Sequence, residues 1–220
     1  MRRRIGRPHS AVLAGAALAV AFAAATGHAG ADTRAAGNGV TCDGRAATII
    51  GTENGDNLEG TPGDDVIAAL GGKDDVRDLS TGRDSVCGGD GSDELETDDS
   101  ARDEKRLFGE DGDDFVGNVD ASFDVTLHLD GGGGDDILRG SPQPDVLRGA
   151  RGEDGMASLI GGDDVRGGKA DDEAFGGRGP DELDGGGGDD RLKGEQGRDR
   201  ANGDGGSDRC RAEVKRDCER

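Results

Sequence analysis

Aspartate recurs in this chain at a fixed interval. Asp136, Asp145, Asp154, Asp163, Asp172, Asp181, Asp190, Asp199, Asp208 and Asp217 are spaced by nine without a break. An earlier run keeps the same period through Asp56, Asp65 and Asp74, gains one residue, and resumes with Asp84 and Asp93. Asp114 belongs to a solitary unit between the two runs. Two residues after each aspartate stands an apolar or small side chain: Leu58, Ile67, Val76, Val86, Leu95 and Val116, then Leu138, Leu147, Met156, Val165, Ala174, Leu183, Leu192, Ala201 and Cys210. Two residues before it there is usually a glycine, as at Gly134, Gly152 and Gly179. Carboxylates held at regular spacing between a flexible turn and an apolar anchor can hold cations. Ca²⁺ suits such a chain, because it takes 6–8 oxygens at 2.3–2.6 Å and accepts the backbone carbonyls that Gly-rich turns expose. Mg²⁺ demands a tighter octahedron and fits less well.

The elements that must position these carboxylates follow from the same nine residues. Six Gly-rich residues form a turn, since glycine reaches positive φ without a side-chain clash. The three that follow, x-U-x with U apolar, form a short strand with U inward and its neighbours outward. Two turns and two strands make one coil, and parallel coils stack at about 4.8 Å each, so roughly nine would give an all-β rod on the order of 40 Å long. In such a stack each unit lies over the next but one. Asp136, Asp154, Asp172, Asp190 and Asp208 then line one edge, and Asp145, Asp163, Asp181 and Asp199 the other. Asp181 is expected to pair with Asp163 and Asp199, and Asp190 with Asp172 and Asp208. Carboxylates one coil apart repel unless a cation lies between them.

The unit is G-G-x-G-x-D-x-U-x. GGDGSDELE (88–96), GGGGDDILR (131–139), GGRGPDELD (176–184) and GGGGDDRLK (185–193) match it, and GTPGDDVIA (60–68) is a close variant. On these motifs the chain resembles the haemolysin-type calcium-binding (RTX) nonapeptide repeat family over residues 51–211. The resemblance implies a parallel β-roll, a right-handed β-solenoid, with Ca²⁺ as its ion. Its metal ligands would be Asp56, Asp65, Asp74, Asp84, Asp93, Asp114, Asp136, Asp145, Asp154, Asp163, Asp172, Asp181, Asp190, Asp199 and Asp208. Some units depart from the pattern. Gln143-Pro144 interrupt the unit 140–148, Ala170 replaces a glycine in 167–175, and Ser158-Leu159-Ile160 open a unit that lacks its first glycines. Those at 140–148 and 167–175 are expected to bind poorly. Lys215 and Arg216 precede Asp217, so no site is expected there.

The expected organisation is a leader over 1–31, an N-terminal cap over 32–50 that reads as a strand from Thr41 to Ile50, and a first roll block over 51–96. An insertion over 97–130 follows, then a second block over 131–211 and a C-terminal cap over 212–220. The insertion holds a charged loop, the isolated repeat of Asp114 and a long strand over 118–130. In that strand Phe123, Val125, Leu127 and Leu129 alternate with Asp124, Thr126, His128 and Asp130. His128 reads as an exposed strand residue. The leader reads as a secretory signal peptide: Arg2, Arg3, Arg4 and Arg7, an apolar run from Ala11 to Ala25, then Ala29-Gly30-Ala31. A spanning helix needs about 20 apolar residues, more than this run supplies, so membrane insertion is not expected, and the signal peptide makes the expected location extracellular.

Composition narrows the function further. The 220 residues include 44 Gly, no Trp or Tyr, and 48 acidic against 27 basic residues, for a net charge of −21. So acidic a chain repels nucleic acid and anionic membranes and attracts cations. Taken alone, the composition points to disorder, so the chain is expected to fold on binding calcium. The four cysteines, Cys42, Cys87, Cys210 and Cys218, allow three pairings in an exported chain. Cys42–Cys87 and Cys210–Cys218, one bond at each end, is the pairing expected. A zinc site is disfavoured, because there is no C-x-x-C and His128 is the only histidine after the leader. No H-E-x-x-H, G-x-S-x-G, P-loop or EF-hand spacing occurs. The leading expectation is therefore a non-enzymatic, stand-alone secreted calcium-binding roll with no known protein partner. The alternative is an adhesion or matrix protein whose calcium is structural, and a hydrolase using an acidic site or a toxin-like protein ranks below both.

Overall fold

The computed structural model describes residues 39–97, 103–118 and 125–219. The expected leader, the start of the N-terminal cap and Phe123 lie outside the described residues. Every regular element described is a strand. Two parallel sheets face each other, one of nine strands and one of ten, and the chain alternates between them after every turn. Units with the ideal spacing pair eighteen residues apart, as in Glu173 opposite Arg191 and Glu182 opposite Arg200. The result is a parallel β-solenoid of about nine coils.

The core is one file of U side chains between the sheets. Leu58, Val76, Leu95, Val116, Leu138 and Met156 continue through Ala174, Leu192 and Cys210 from one sheet. Ile67, Val86, Leu107, Leu129, Leu147, Val165, Leu183 and Ala201 face them from the other. Each U is flanked by outward residues, which is why the three-residue strand Ile137–Arg139 buries only Leu138 and leaves Ile137 57% exposed.

The stretch expected to interrupt the roll continues it. Phe115–Asn118 pairs in parallel with Glu94–Thr97 on one side and Ile137–Arg139 on the other. Lys105–Asp111 and Leu127–Gly133 do the same in the longer sheet. The described strands of 97–130 therefore continue both sheets, and the unit of Asp114 is not isolated. Of the long strand expected over 118–130, residues 119–124 lie outside the described residues, and the strand described runs Leu127–Gly133. The expected alternation holds there: Val125, Leu127 and Leu129 are buried in the core, with Thr126, His128 and Asp130 partly exposed between them.

The N-terminal cap differs from the single strand expected. Thr41–Cys42 and Arg45–Ala46 form an antiparallel hairpin, and Ile49–Ile50 is the edge strand of the longer sheet. The hairpin lies on the outer face of that sheet, where Cys42, Ala47, Ile50, Val66, Ala68 and Cys87 make a second apolar cluster. Both disulfides join the expected partners, Cys42–Cys87 and Cys210–Cys218. The second fixes the last coil, where Cys210 is itself the U residue. No helix of the described residues is long and apolar enough to cross a membrane.

Candidate metal centre

Each turn ends on its aspartate, and the U residue two positions on anchors the strand that follows. The carboxylate is thereby fixed at the root of the strand, and all fifteen expected aspartates are buried. They form two columns. One edge carries Asp56, Asp74, Asp93, Asp114, Asp136, Asp154, Asp172, Asp190 and Asp208. Along it the N–H of each aspartate donates to Oδ1 of the next at 2.7–2.9 Å. The second edge carries Asp65 and Asp84, is interrupted, and resumes with Asp145, Asp163, Asp181 and Asp199. Asp181 and Asp190 thus lie on opposite edges, each laddered to the neighbours expected for it. At the end of the second edge Glu213, which sequence reasoning passed over, accepts from the N–H of Asp199 at 2.8 Å.

The ladder uses Oδ1 only. Oδ2 is buried without a hydrogen-bond partner in Asp74, Asp93, Asp114, Asp136, Asp154, Asp172, Asp190 and Asp208 of the first edge, and in Asp163, Asp181 and Asp199 of the second. A buried carboxylate oxygen left unpaired carries the full desolvation cost of its charge. Burial pushes the carboxyls of Asp74, Asp114, Asp154 and Asp163 up to about 6 and those of Asp136 and Asp172 up to about 7, and it also raises Asp145, whose Oδ2 is hydrogen-bonded, to about 7. The ladder N–H pulls each down. Aspartates above and below add to the rise at Asp74, Asp136 and Asp172. Each unpaired oxygen points back across its own turn: a Cβ on Gly176 would lie 2.5 Å from Oδ2 of Asp181, and one on Gly185 2.2 Å from Oδ2 of Asp190. The glycine that opens these units leaves room for that approach, while Ala69 and Ser158 stand at the same place in the units of Asp74 and Asp163.

Three turns are built differently. Thr52 donates its N–H (2.6 Å) and its hydroxyl (2.9 Å) to Oδ2 of Asp56. Thr61 does the same to Asp65, at 2.6 and 2.9 Å. The N–H of Ser141 donates to Oδ2 of Asp145 (2.6 Å), and its hydroxyl to Oδ1 (3.1 Å). The switch lies at the second position of the unit. In the open turns this residue is left-handed: φ is 99° at both Gly177 and Gly186, and Leu159 adopts 78° in the unit that lacks its first glycines. Thr52, Thr61 and Ser141 have no left-handed φ, and their N–H groups turn onto the carboxylate. Ala170 does not close its turn. It takes a left-handed φ of 76°, and Oδ2 of Asp172 remains unpaired.

The interruption of the second edge follows from sheet register. Arg106 lies opposite Ser85, and His128 opposite Arg106, so Lys105 and Leu127 occupy the two places where aspartates would stand. Lys105 is fully buried. Its Nζ lies 3.1 Å from Oδ2 of Asp84 and 2.5 Å from the carbonyl oxygen of Gly82, the fourth residue of the Asp84 unit. Sequence spacing concealed this, because these coils repeat after 19, 21 and 22 residues instead of 18. His128 is a strand residue beside Glu104, 3.3 Å away, and faces no carboxylate column.

No group of three or more His, Cys, Asp or Glu converges among the described residues. An ion at an open turn would therefore take most of its ligands from backbone carbonyls, which excludes the all-side-chain sets of zinc and fits Ca²⁺. In the turn of Asp84 the Lys105 ammonium lies between the aspartate Oδ2 and the carbonyl of the fourth residue. A family model of the RTX calcium-binding nonapeptide repeat, four copies long, matches residues 50–77, 130–165, 159–192, 166–201 and 184–212. The chain belongs to the RTX family. Between its matched RTX segments lies the stretch that holds Lys105 and Leu127. No curated protein matches the chain.

Proposed function

We propose that this RTX protein binds Ca²⁺ between successive open turns and completes its fold by doing so. Eleven buried, unpaired Oδ2 atoms facing Gly-rich turns carry this reading. Each ion would draw on an aspartate Oδ2 and on turn carbonyls. It would supply the positive charge that offsets repulsion within a column. The role is binding and not catalysis, and the leader-like start of the sequence supports an extracellular setting, where free calcium is abundant enough for weak sites to fill. Far-UV circular dichroism of the chain from residue 32 onward, with disulfides intact, tests the proposal. β signal is expected in millimolar calcium and a large loss of it in chelator. An unchanged spectrum would refute it.

One feature favours the alternative reading, presentation of the roll surface to a partner. The outer face of the nine-stranded sheet is net acidic where Asp75, Glu94 and Glu96 surround Arg77, apolar at Phe115 and Ile137, and net basic where Arg191, Lys193, Arg209 and Arg211 lie beyond Glu173. A second copy in reversed orientation would place acid over base. Salt-dependent dimerisation in sedimentation velocity would support that role, and a monomer at all salt concentrations would count against it.

A further inference from the structure

We infer that the N-terminal coils hold their shape without calcium, because their turns supply internally what the ion supplies elsewhere. This rests on the calcium reading of the open turns and concerns where that reading stops. Of the first four column aspartates, Asp56, Asp65, Asp74 and Asp84, two have their Oδ2 hydrogen-bonded and a third has it ion-paired. Asp56 and Asp65 are closed by Thr52 and Thr61, and Asp84 is paired with Lys105. Asp74 is the one open turn among them.

Lys105 is the decisive residue. A fully buried ammonium persists only where it is paired and hydrogen-bonded. Here it meets a carboxylate oxygen and a turn carbonyl, the two kinds of oxygen that Ca²⁺ takes. It is a covalently tethered cation in an ion's place, and it cannot be removed by a chelator. Leu127 above it contributes no charge. Its N–H still donates to Oδ1 of Asp145 at 2.7 Å, and Ser141 closes that turn. From Asp65 to Asp145 every carboxylate of the second edge therefore faces either a hydrogen-bond donor or, at Asp84, whose Oδ2 accepts no hydrogen bond, the Lys105 ammonium at 3.1 Å. The same coils have two supports that the later ones lack: the second apolar cluster on the outer face and the Cys42–Cys87 bond.

Hydrogen–deuterium exchange on the disulfide-intact chain, in calcium and in chelator, tests the inference. Peptides from 40–90 are expected to stay protected in both conditions, and those from 150–212 in calcium only. If calcium protects 40–90 as strongly as 150–212, the inference fails while the calcium reading stands. If calcium changes neither region, the calcium reading itself fails. Two variants sharpen the point. K105D restores an aspartate to the column, so peptides from 82–110 should become calcium-dependent and the titration should gain one ion. T61G gives the second position its left-handed freedom and should open the turn of Asp65 with the same signature. Unchanged stoichiometry and unchanged chelator resistance in whichever variant folds, or failure of both to fold in calcium, would overturn the assignment.

Discussion

The two edges of the roll are made from the same nonapeptide and solve the same electrostatic problem in different ways. The first edge stacks nine aspartates, eight of them with an unpaired Oδ2, and must import its positive charge. The second edge is open only from Asp163 onward. Before that it relies on Thr61, Lys105, Leu127 and Ser141. Buried carboxylate columns thus need a compensating donor or cation at each level, but it need not be a metal. A hydroxyl with its backbone N–H, or one buried ammonium, suffices locally. What distinguishes an open turn from one closed by its own residues is the backbone of its second residue, except at Asp84, where Ser80 lacks a left-handed φ but donates to the carbonyl of Asp78 and leaves the carboxylate to Lys105.

The comparison can be broken most forcefully by pH. Six open-turn carboxyls, those of Asp74, Asp114, Asp136, Asp154, Asp163 and Asp172, stand at about 6 to 7 in the metal-free fold, above the 3.8 of a free aspartate, and so does Asp145 in its closed turn, at about 7. A raised folded value means that ionisation opposes folding. The penalty is full above about pH 7, is relieved as pH falls through the folded values, and is gone below about pH 4. In chelator, acidification from pH 8 to pH 5 should therefore increase protection of 150–212, and calcium affinity should fall over the same range as protons compete. Loss of structure on mild acidification in chelator would contradict the assignment of open turns.

Removing the Cys42–Cys87 bond with a double serine variant should cost about 4 kcal/mol by loop-entropy reasoning. The loss should be visible in denaturant melts in chelator and concentrated in the N-terminal coils. A similar loss in 150–212 would show that the two regions are not separable. D172N and D65N compare an open turn with a closed one. D172N keeps an acceptor for the ladder but loses the charge, so calcium-loaded stability should drop by roughly 2–3 kcal/mol, with fewer ions bound. D65N should leave the ion count unchanged.

The smallest contrast is between two glycines. G176A drives a methyl against Oδ2 of Asp181 and should cost about 1–3 kcal/mol. G63A, which meets nothing within 4 Å, should stay within about 0.5 kcal/mol in thermal melts.

Much of this architecture was legible in the sequence, for a physical reason. An eighteen-residue coil repeats its chemistry, so the spacing of Asp172, Asp181 and Asp190 alone assigns each to an edge and places Leu183 and Leu192 inside. The paired cysteines at the two ends were equally open to reading. What spacing could not convey was register through coils of altered length. Lys105 and Leu127 become members of a column only once Leu107 and Leu129 are seen to continue the core. The hairpin over Thr41–Ala46 was hidden because its partner surface, around Val66 and Cys87, is distant in sequence. The closed turns did carry a signal that went unread. G-T or G-S opens the units of Asp56, Asp65 and Asp145, where the open units with a glycine at both places have G-G. A hydroxyl four residues before an aspartate can bond to it across the turn.

The claim on which the rest depends is that the unpaired Oδ2 atoms face calcium. Isothermal titration of the metal-free chain with CaCl₂ measures this directly. The account predicts a stoichiometry on the order of ten ions per chain, with each site weak in the manner of extracellular modules. Absence of binding heat, with no saturation up to several millimolar calcium, would contradict it.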